Sequence, residues 1–187
     1  MSKAALIALF AIAVIPLGCA KHPTTASPTP TSLPTRLFDR PDLGVRLTWP
    51  AGWETQQSQD FVLMLVPTGV KLEDTSISLD VPKLPPHIPG LIPIGSVRNG
   101  YLDDLKKSVG KLDTKDLPQP GVPDAIQRFV RSQWTDGKGV AQQETALLMV
   151  HNDGVYILRG RSSASDETKT RVAFDEIVKS LSWPAKR

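Results

Sequence analysis

From residue 43 onward the chain alternates between two hydrophobic periods, one of two residues and one near four. Leu43, Val45, Leu47 and Trp49 alternate with Gly44, Arg46 and Thr48, the period of a half-buried strand. Pro50 removes a ladder donor and ends that strand. Ala51-Gly52 then turn the chain so that Trp53 folds back beside it. Arg36 to Arg40 is a short candidate strand just before. Phe61 to Pro67 is a nearly continuous apolar run, and Thr75 to Val81 alternates Ile77, Leu79 and Val81. Both predict strands of an antiparallel sheet.

The period then lengthens. Gly95 to Val109 places Val97, Tyr101, Leu105 and Val109 on one stripe widened by Leu102, which predicts a helix with Ser96 as its cap. After a Pro/Gly loop at Leu117 to Pro123, period two returns in three stretches: Asp124 to Thr135, Val140 to His151 and Val155 to Arg161. Asp136-Gly137-Lys138-Gly139 and Asn152-Asp153-Gly154 supply the turns between them, because Asn, Asp and Gly tolerate positive φ. In the last of these strands Tyr156 and Leu158 share one face, and Val155, Ile157 and Arg159 the other. Asp166 to Leu181 closes the chain with Thr170, Ala173, Phe174, Ile177, Val178 and Leu181 on one helical stripe. Ser163 or Ser165 is available as its cap, and Trp183-Pro184 stop it. Such a helix gains most of its stability by covering a sheet face.

The first 35 residues follow neither period. Lys3 precedes an apolar run from Ala4 to Ile15, which is short of the ~20 residues that span a bilayer and has the shape of a signal peptide. Lys21 to Thr35, KHPTTASPTPTSLPT, has little to bury, and its prolines favour extended polyproline II. At ~3.1 Å per residue it reaches roughly 50 Å. Between the two lies Cys19, the one cysteine of 187 residues, so an internal disulfide and a thiolate metal cluster are both excluded. Gly18-Cys19 resembles the lipobox of bacterial lipoprotein precursors, in which the Cys is lipidated and becomes the first residue. Leu17 stands one position nearer the Cys than in that pattern, with Pro16 in its place. Cleavage after Ala20, which would release a secreted or periplasmic soluble form, is the rival.

Composition narrows the remaining classes. With 40% hydrophobic and 22% charged residues the chain is an ordinary globular one of domain size. A dispersed net charge of +3 with no Lys/Arg run and no aromatic-interleaved basic patch is poor evidence for nucleic-acid binding, and no nucleic-acid partner is expected. No Gly-x-Ser-x-Gly elbow, His-Glu-x-x-His or phosphate-cradling glycine loop is present, which disfavours catalysis, with no catalytic residue, cofactor or metal assigned. The three histidines have plain explanations. His22 is in the tether, His87 has no acidic or thiol neighbour in its loop, and His151 abuts a turn that needs Asp153 for its backbone. Asp103-Asp104 point about 100° apart on a helix and read as a solvated face. Pro82 to Pro93, PKLPPHIPGLIP, is too rich in proline for a central strand. Its apolar residues either pack over the sheet or meet a partner, with His87, Ile88 and Leu91 as candidate contacts.

Taken in order, Trp49-Pro50-Ala51-Gly52-Trp53, Gly154-Val155-Tyr156-Ile157-Leu158 and Phe174-Asp175-Glu176-Ile177-Val178-Lys179-Ser180-Leu181 resemble the PsbP-like group. That group covers photosystem extrinsic subunits, a Ran-binding transport protein and bacterial lipoproteins. The resemblance implies an α+β fold, an antiparallel sheet covered by helices as an α/β/α sandwich, and binding or assembly roles; none of the photosystem or Ran-binding surfaces carries over. The organisation expected is a signal peptide at 1–18, a lipidated Cys19 and Pro/Thr-rich tether at 19–35, and a single PsbP-like domain at 36–187. The function expected is that of a lipid-anchored, extracytoplasmic accessory module of the bacterial cell envelope that contacts an envelope protein. A small-ligand or metal-binding lipoprotein and a hydrolase are the alternatives. Intact mass spectrometry of the membrane fraction is expected to find an N-terminus at Cys19 bearing acyl chains; a chain beginning at Lys21 without them would remove the anchor.

Overall fold

The computed structural model describes residues 36–70, 75–84 and 91–185. The signal segment, Cys19, the tether with His22, and His87 and Ile88 of the Pro-rich loop lie outside the described residues. The elements run β1 (Arg36–Arg40), β2 (Val45–Trp49), β3 (Trp53–Thr55), β4 (Leu63–Pro67), β5 (Thr75–Asp80), α1 (Ile94–Val109), β6 (Asp113–Asp116), β7 (Ile126–Thr135), β8 (Ala141–His151), β9 (Gly154–Ser163) and α2 (Glu167–Ser180). Seven strands form one antiparallel sheet in the order β3-β4-β5-β9-β8-β7-β6, and β1 pairs with β2 in a separate hairpin.

The meander β7-β8-β9 forms where the alternation and turn residues predict it. At its first turn the Asp136 carboxylate accepts the backbone N–H groups of Lys138 and Val140 at 2.8 and 2.9 Å. The Val140 contact, foremost, holds this Asp below the usual carboxylate range. Asn152 and Asp153 take φ of 44° and 60°, as a two-residue hairpin turn requires. Between β5 and β6 the chain crosses the sheet through α1, so that β9 returns to lie between β8 and β5.

Both faces of the sheet are buried, and β9 shows how. Tyr156 and Leu158 join a core with Leu147, Met149, Ile77 and Leu79, closed by Ala173, Phe174, Ile177 and Val178 of α2 and by Val45 and Leu47 of β2. Val155 and Ile157 point the other way, into a second core with Val130, Ala146 and Leu148 under Tyr101 and Leu105 of α1. This is the helix-covered α+β sandwich expected. Gly160 matters to the first core because a Cβ there would lie 2.9 Å from the Phe174 ring; glycine lets α2 approach the strand closely. On the hairpin side Ser180 Oγ accepts the Thr48 N–H at 2.9 Å and donates to the Thr48 carbonyl at 3.0 Å.

Several local expectations are corrected. Trp53 does not lie beside the β2 strand: it pairs opposite Pro67 of β4 in the larger sheet. Trp49 nevertheless keeps contact through its Nε1, which donates to the Trp53 carbonyl at 3.2 Å. A φ of 84° at Gly52 makes that reversal, and both Trp rings are buried in the core. Strand β6 has four exposed residues and thus no apolar alternation to announce it. Helix α1 starts after Pro93, not after Ser96, and has no side-chain cap; proline's fixed φ and missing donor suit a helix start. At α2 the Ser163 and Ser165 hydroxyls bond each other at 2.7 Å, and Asp166 takes the cap position, its carboxylate accepting from Ser163 at 3.2 Å and not from the helix N–H groups.

Ile177 is fully buried in the first core. Ile177→Ala is expected to lower stability by ~2–5 kcal/mol in urea melts, from lost burial plus the cavity left behind. A change below about 0.5 kcal/mol, the size of a surface substitution, would refute the α2 contact.

Candidate functional site

The described apolar residues Leu84, Leu91 and Ile92 of the Pro-rich loop meet two fates. Leu84 and Ile92 pack against the α1-side core, whereas Leu91 is 65% exposed. His151 is engaged at both ring nitrogens: Nδ1 lies 2.7 Å from the Asp124 carbonyl and Nε2 lies 2.8 Å from Asn152 Nδ2. Its ring stacks on Trp183 with centroids 4.4 Å apart, and the Trp183 indole donates to the Pro123 carbonyl at 2.8 Å. This is a latch that closes the chain's C-terminal end over the meander. Asp104 pairs with Lys107 at 2.8 Å on the exposed face of α1. Among the described residues no group of three or more His, Cys, Asp or Glu converges as metal ligands.

The residues that do converge are ones the sequence reading passed over. Helix α1 packs chiefly over β7 and β8, so part of its face of the sheet stays uncovered toward β4 and β5. Two adjoining recesses of about 390 and 320 Å³ open there and share Glu144, Arg159 and Arg161. Strand alternation sets this trio. Arg159 and Arg161 are two apart in β9, and Glu144 of β8 stands directly opposite Arg161. On the other side Ser78 and Ser76 of β5 oppose the two arginines. Phe61 and Met64 form the apolar wall of the larger recess, and Asp80, Tyr101 and Ile157 line the smaller.

The two guanidiniums differ in their surroundings. Arg159 is anchored, with Nη2 2.9 Å from Asp80 Oδ2 and its Cζ 5.1 Å from the Phe61 ring centroid and 5.8 Å from that of Tyr101. Arg161 lies over the Trp134 ring at 4.8 Å and forms no ion pair among the described residues. Glu144 is 4% exposed and accepts the Tyr101 phenol at one carboxylate oxygen. Burial first, then the Glu144 charge, pushes the Tyr101 phenol far above its ordinary value. It therefore stays a proton donor fixed on Glu144.

Six buried side-chain polar atoms lack a partner among the described residues, and four of them, Ser132 Oγ, Gln142 Oε1, Arg159 Nε and Arg161 Nε, belong to this face. Unsatisfied polar groups are costly and rare in folded proteins, so four on one face call for a physical reason. The opposite face has a smaller cavity of about 190 Å³ between α2 and β7-β9, where Arg131 lies 3.5 Å from Glu167. A signal for the recess exists in the sequence: two arginines at period two directly after the apolar run Val155 to Leu158 of one strand.

No protein-family model matches the chain, and no curated protein matches it. Among solved structures it is similar to cyanobacterial PsbP, CyanoP, of Synechocystis sp. PCC 6803, with a TM-score of 0.57 and 11% identity over 86% of this chain and 98% of that one. It is also similar to LpqN of Mycobacterium tuberculosis, described as involved in cell envelope biogenesis, with a TM-score of 0.56 and 14% identity over 81% of this chain and 91% of that one. At these identities the likeness is one of fold, and the sheet with its two helices is PsbP-like.

Tyr101→Phe is expected to cost about 1–3 kcal/mol at pH 7, since Glu144 loses its donor while staying buried. In the unfolded chain the phenol ionises near 10.0, its ordinary value, whereas the folded chain keeps the proton. The stabilisation is thus complete below pH 10 and is lost as pH rises above it. Urea midpoints from pH 7 to 11 are expected to converge for wild type and variant; parallel pH profiles would place Tyr101 in solvent.

Proposed function

We propose that this chain is a non-catalytic binding or accessory module of the cell envelope, exported by residues 1–18 and held outside the cytoplasm by a lipid on Cys19. The tether at 19–35 then spaces the sheet domain from the membrane. The observation that carries the non-catalytic reading is the chemistry of the α1-side recess. Its arginines carry permanent charge, and its one phenol is committed to donating to Glu144. Such a set recognises and orients a bound group, with the arginines and the Glu144 carboxylate as its hydrogen-bonding partners. The hydrolase alternative draws no support from His151, whose nitrogens are both engaged.

The envelope setting is supported by the apolar leader, the Gly18-Cys19 step and the Pro/Thr tether, and by the shared fold with LpqN. No described helix is long and apolar enough to cross a membrane, so on this reading attachment is through the lipid. An envelope protein is the partner proposed for the Pro-rich loop, with His87, Ile88 and Leu91 as contacts. Exposure of Leu91 beside the packed Leu84 and Ile92 fits a loop seated at its ends with an apolar side chain left outward.

A photo-crosslinker placed at Lys83 in intact membranes is expected to capture a defined partner that the Ile88→Asp, Leu91→Asp double variant loses, with unchanged melting. Equal capture by both proteins would reject the loop as the contact.

A further inference from the structure

We infer that the α1-side recess is a binding site for a small ligand that presents a phosphate flanked by a hydroxyl, the oxyanion docking on Arg161 and the hydroxyl donating to Glu144. The assignment does not depend on the membrane anchor. It rests on the asymmetry of two neighbouring arginines in one strand. Asp80 pairs with Arg159 at 2.9 Å, and the rings of Phe61 and Tyr101 lie near it. Arg161 has the ring of Trp134 beneath it and no carboxylate within ion-pair distance among the described residues.

A guanidinium set over an indole and making no ion pair among the described residues matches the planar, forked geometry of carboxylate and phosphate. Its Nε is buried without a partner, which adds to the cost of leaving the group unmatched. Glu144 sits opposite Arg161 in the ladder and uses one oxygen for Tyr101. No other hydrogen bond reaches it among the described residues, and its second oxygen is not among the atoms buried without a partner, so it remains available to accept from a group in the recess that Glu144 lines. A bare dianion would meet repulsion from that carboxylate. An oxyanion with an adjacent hydroxyl satisfies both groups, which is how such a site discriminates. The recess that both residues line measures about 390 Å³, within the range of small-molecule sites, and Ser76 and Ser78 on the facing strand add hydroxyl partners.

The same chemistry occurs in free hydroxylated phosphates and in glycerophosphate lipid headgroups, and calorimetry on the full-length chain in detergent separates them. The probes are sn-glycerol 3-phosphate, a monoester, and glycerophosphoglycerol, the deacylated diester headgroup, with inorganic phosphate as reference. One ester is expected to bind at least tenfold more tightly than inorganic phosphate, and which one names the source. Arg161→Gln is expected to weaken that binding at least tenfold. Glu144→Gln, which keeps the shape, is expected to strengthen inorganic phosphate and erase the preference for the hydroxylated ester. Absence of heat with every probe, or a preference unchanged in Glu144→Gln together with full binding by a folded Arg161→Gln, overturns the assignment. Loss of membrane attachment with intact ester binding would count against the anchor alone.

Discussion

The pairing of β5 with β9 is the constraint on which the rest of the domain depends. It joins two distant parts of the chain, with Leu79 opposite Leu158 and Ser78 opposite Arg159, and makes β9 a central strand buried on both sides. Because side chains alternate, a slip of one residue would exchange the faces of the strand. Arg159 and Arg161 would then press into α2, where Gly160 now accommodates Phe174, and Tyr156 and Leu158 would enter the recess. One register thus seats both helices and aims both arginines. The Arg159–Asp80 pair spans these same two strands, so an ion pair near the recess also reads the register.

How much of this was legible in the sequence follows from which forces were local. The meander and the final helix were readable because apolar periodicity, turn residues and burial agree there. Tyr156 and Leu158 fall on the α2 side and Val155 and Ile157 on the α1 side, as their alternation implies. Strand β6 was not readable, since a wholly exposed edge strand follows its neighbour's hydrogen-bonding groups and not its own side chains. Trp53 was half readable. Its burial follows from size, but whether it joined β2 or β4 was decided by a glycine turn and by the run of apolar residues waiting in β4.

The candidate site was less legible because its members look unremarkable one at a time. Arg159 and Arg161 read as the polar end of a strand, Glu144 as one polar residue among several, and Tyr101 as part of a helical stripe. Only the ladder, which sets Glu144 against Arg161, and the helix, which lays Tyr101 over Glu144, turn them into a group. The motifs that did stand out resolve otherwise among the described residues. His151 and Trp183 form a structural latch, and Asp104 belongs to a solvated face with Lys107.

Strand β6 has a further consequence for how copies of this domain tolerate one another. A free sheet edge offers unpaired backbone groups to any neighbour, and the usual product is sheet-to-sheet polymerisation. If two β6 edges met in antiparallel fashion about their common centre, Asp113 of one copy would face Asp116 of the other at both ends of a four-residue strand. Like charges directly opposed disfavour such a pair, and at the other edge β3 offers only three residues. The sheet therefore ends in charge on one side and in brevity on the other. Edge-to-edge joining of copies into a continuous sheet is thereby disfavoured at both ends.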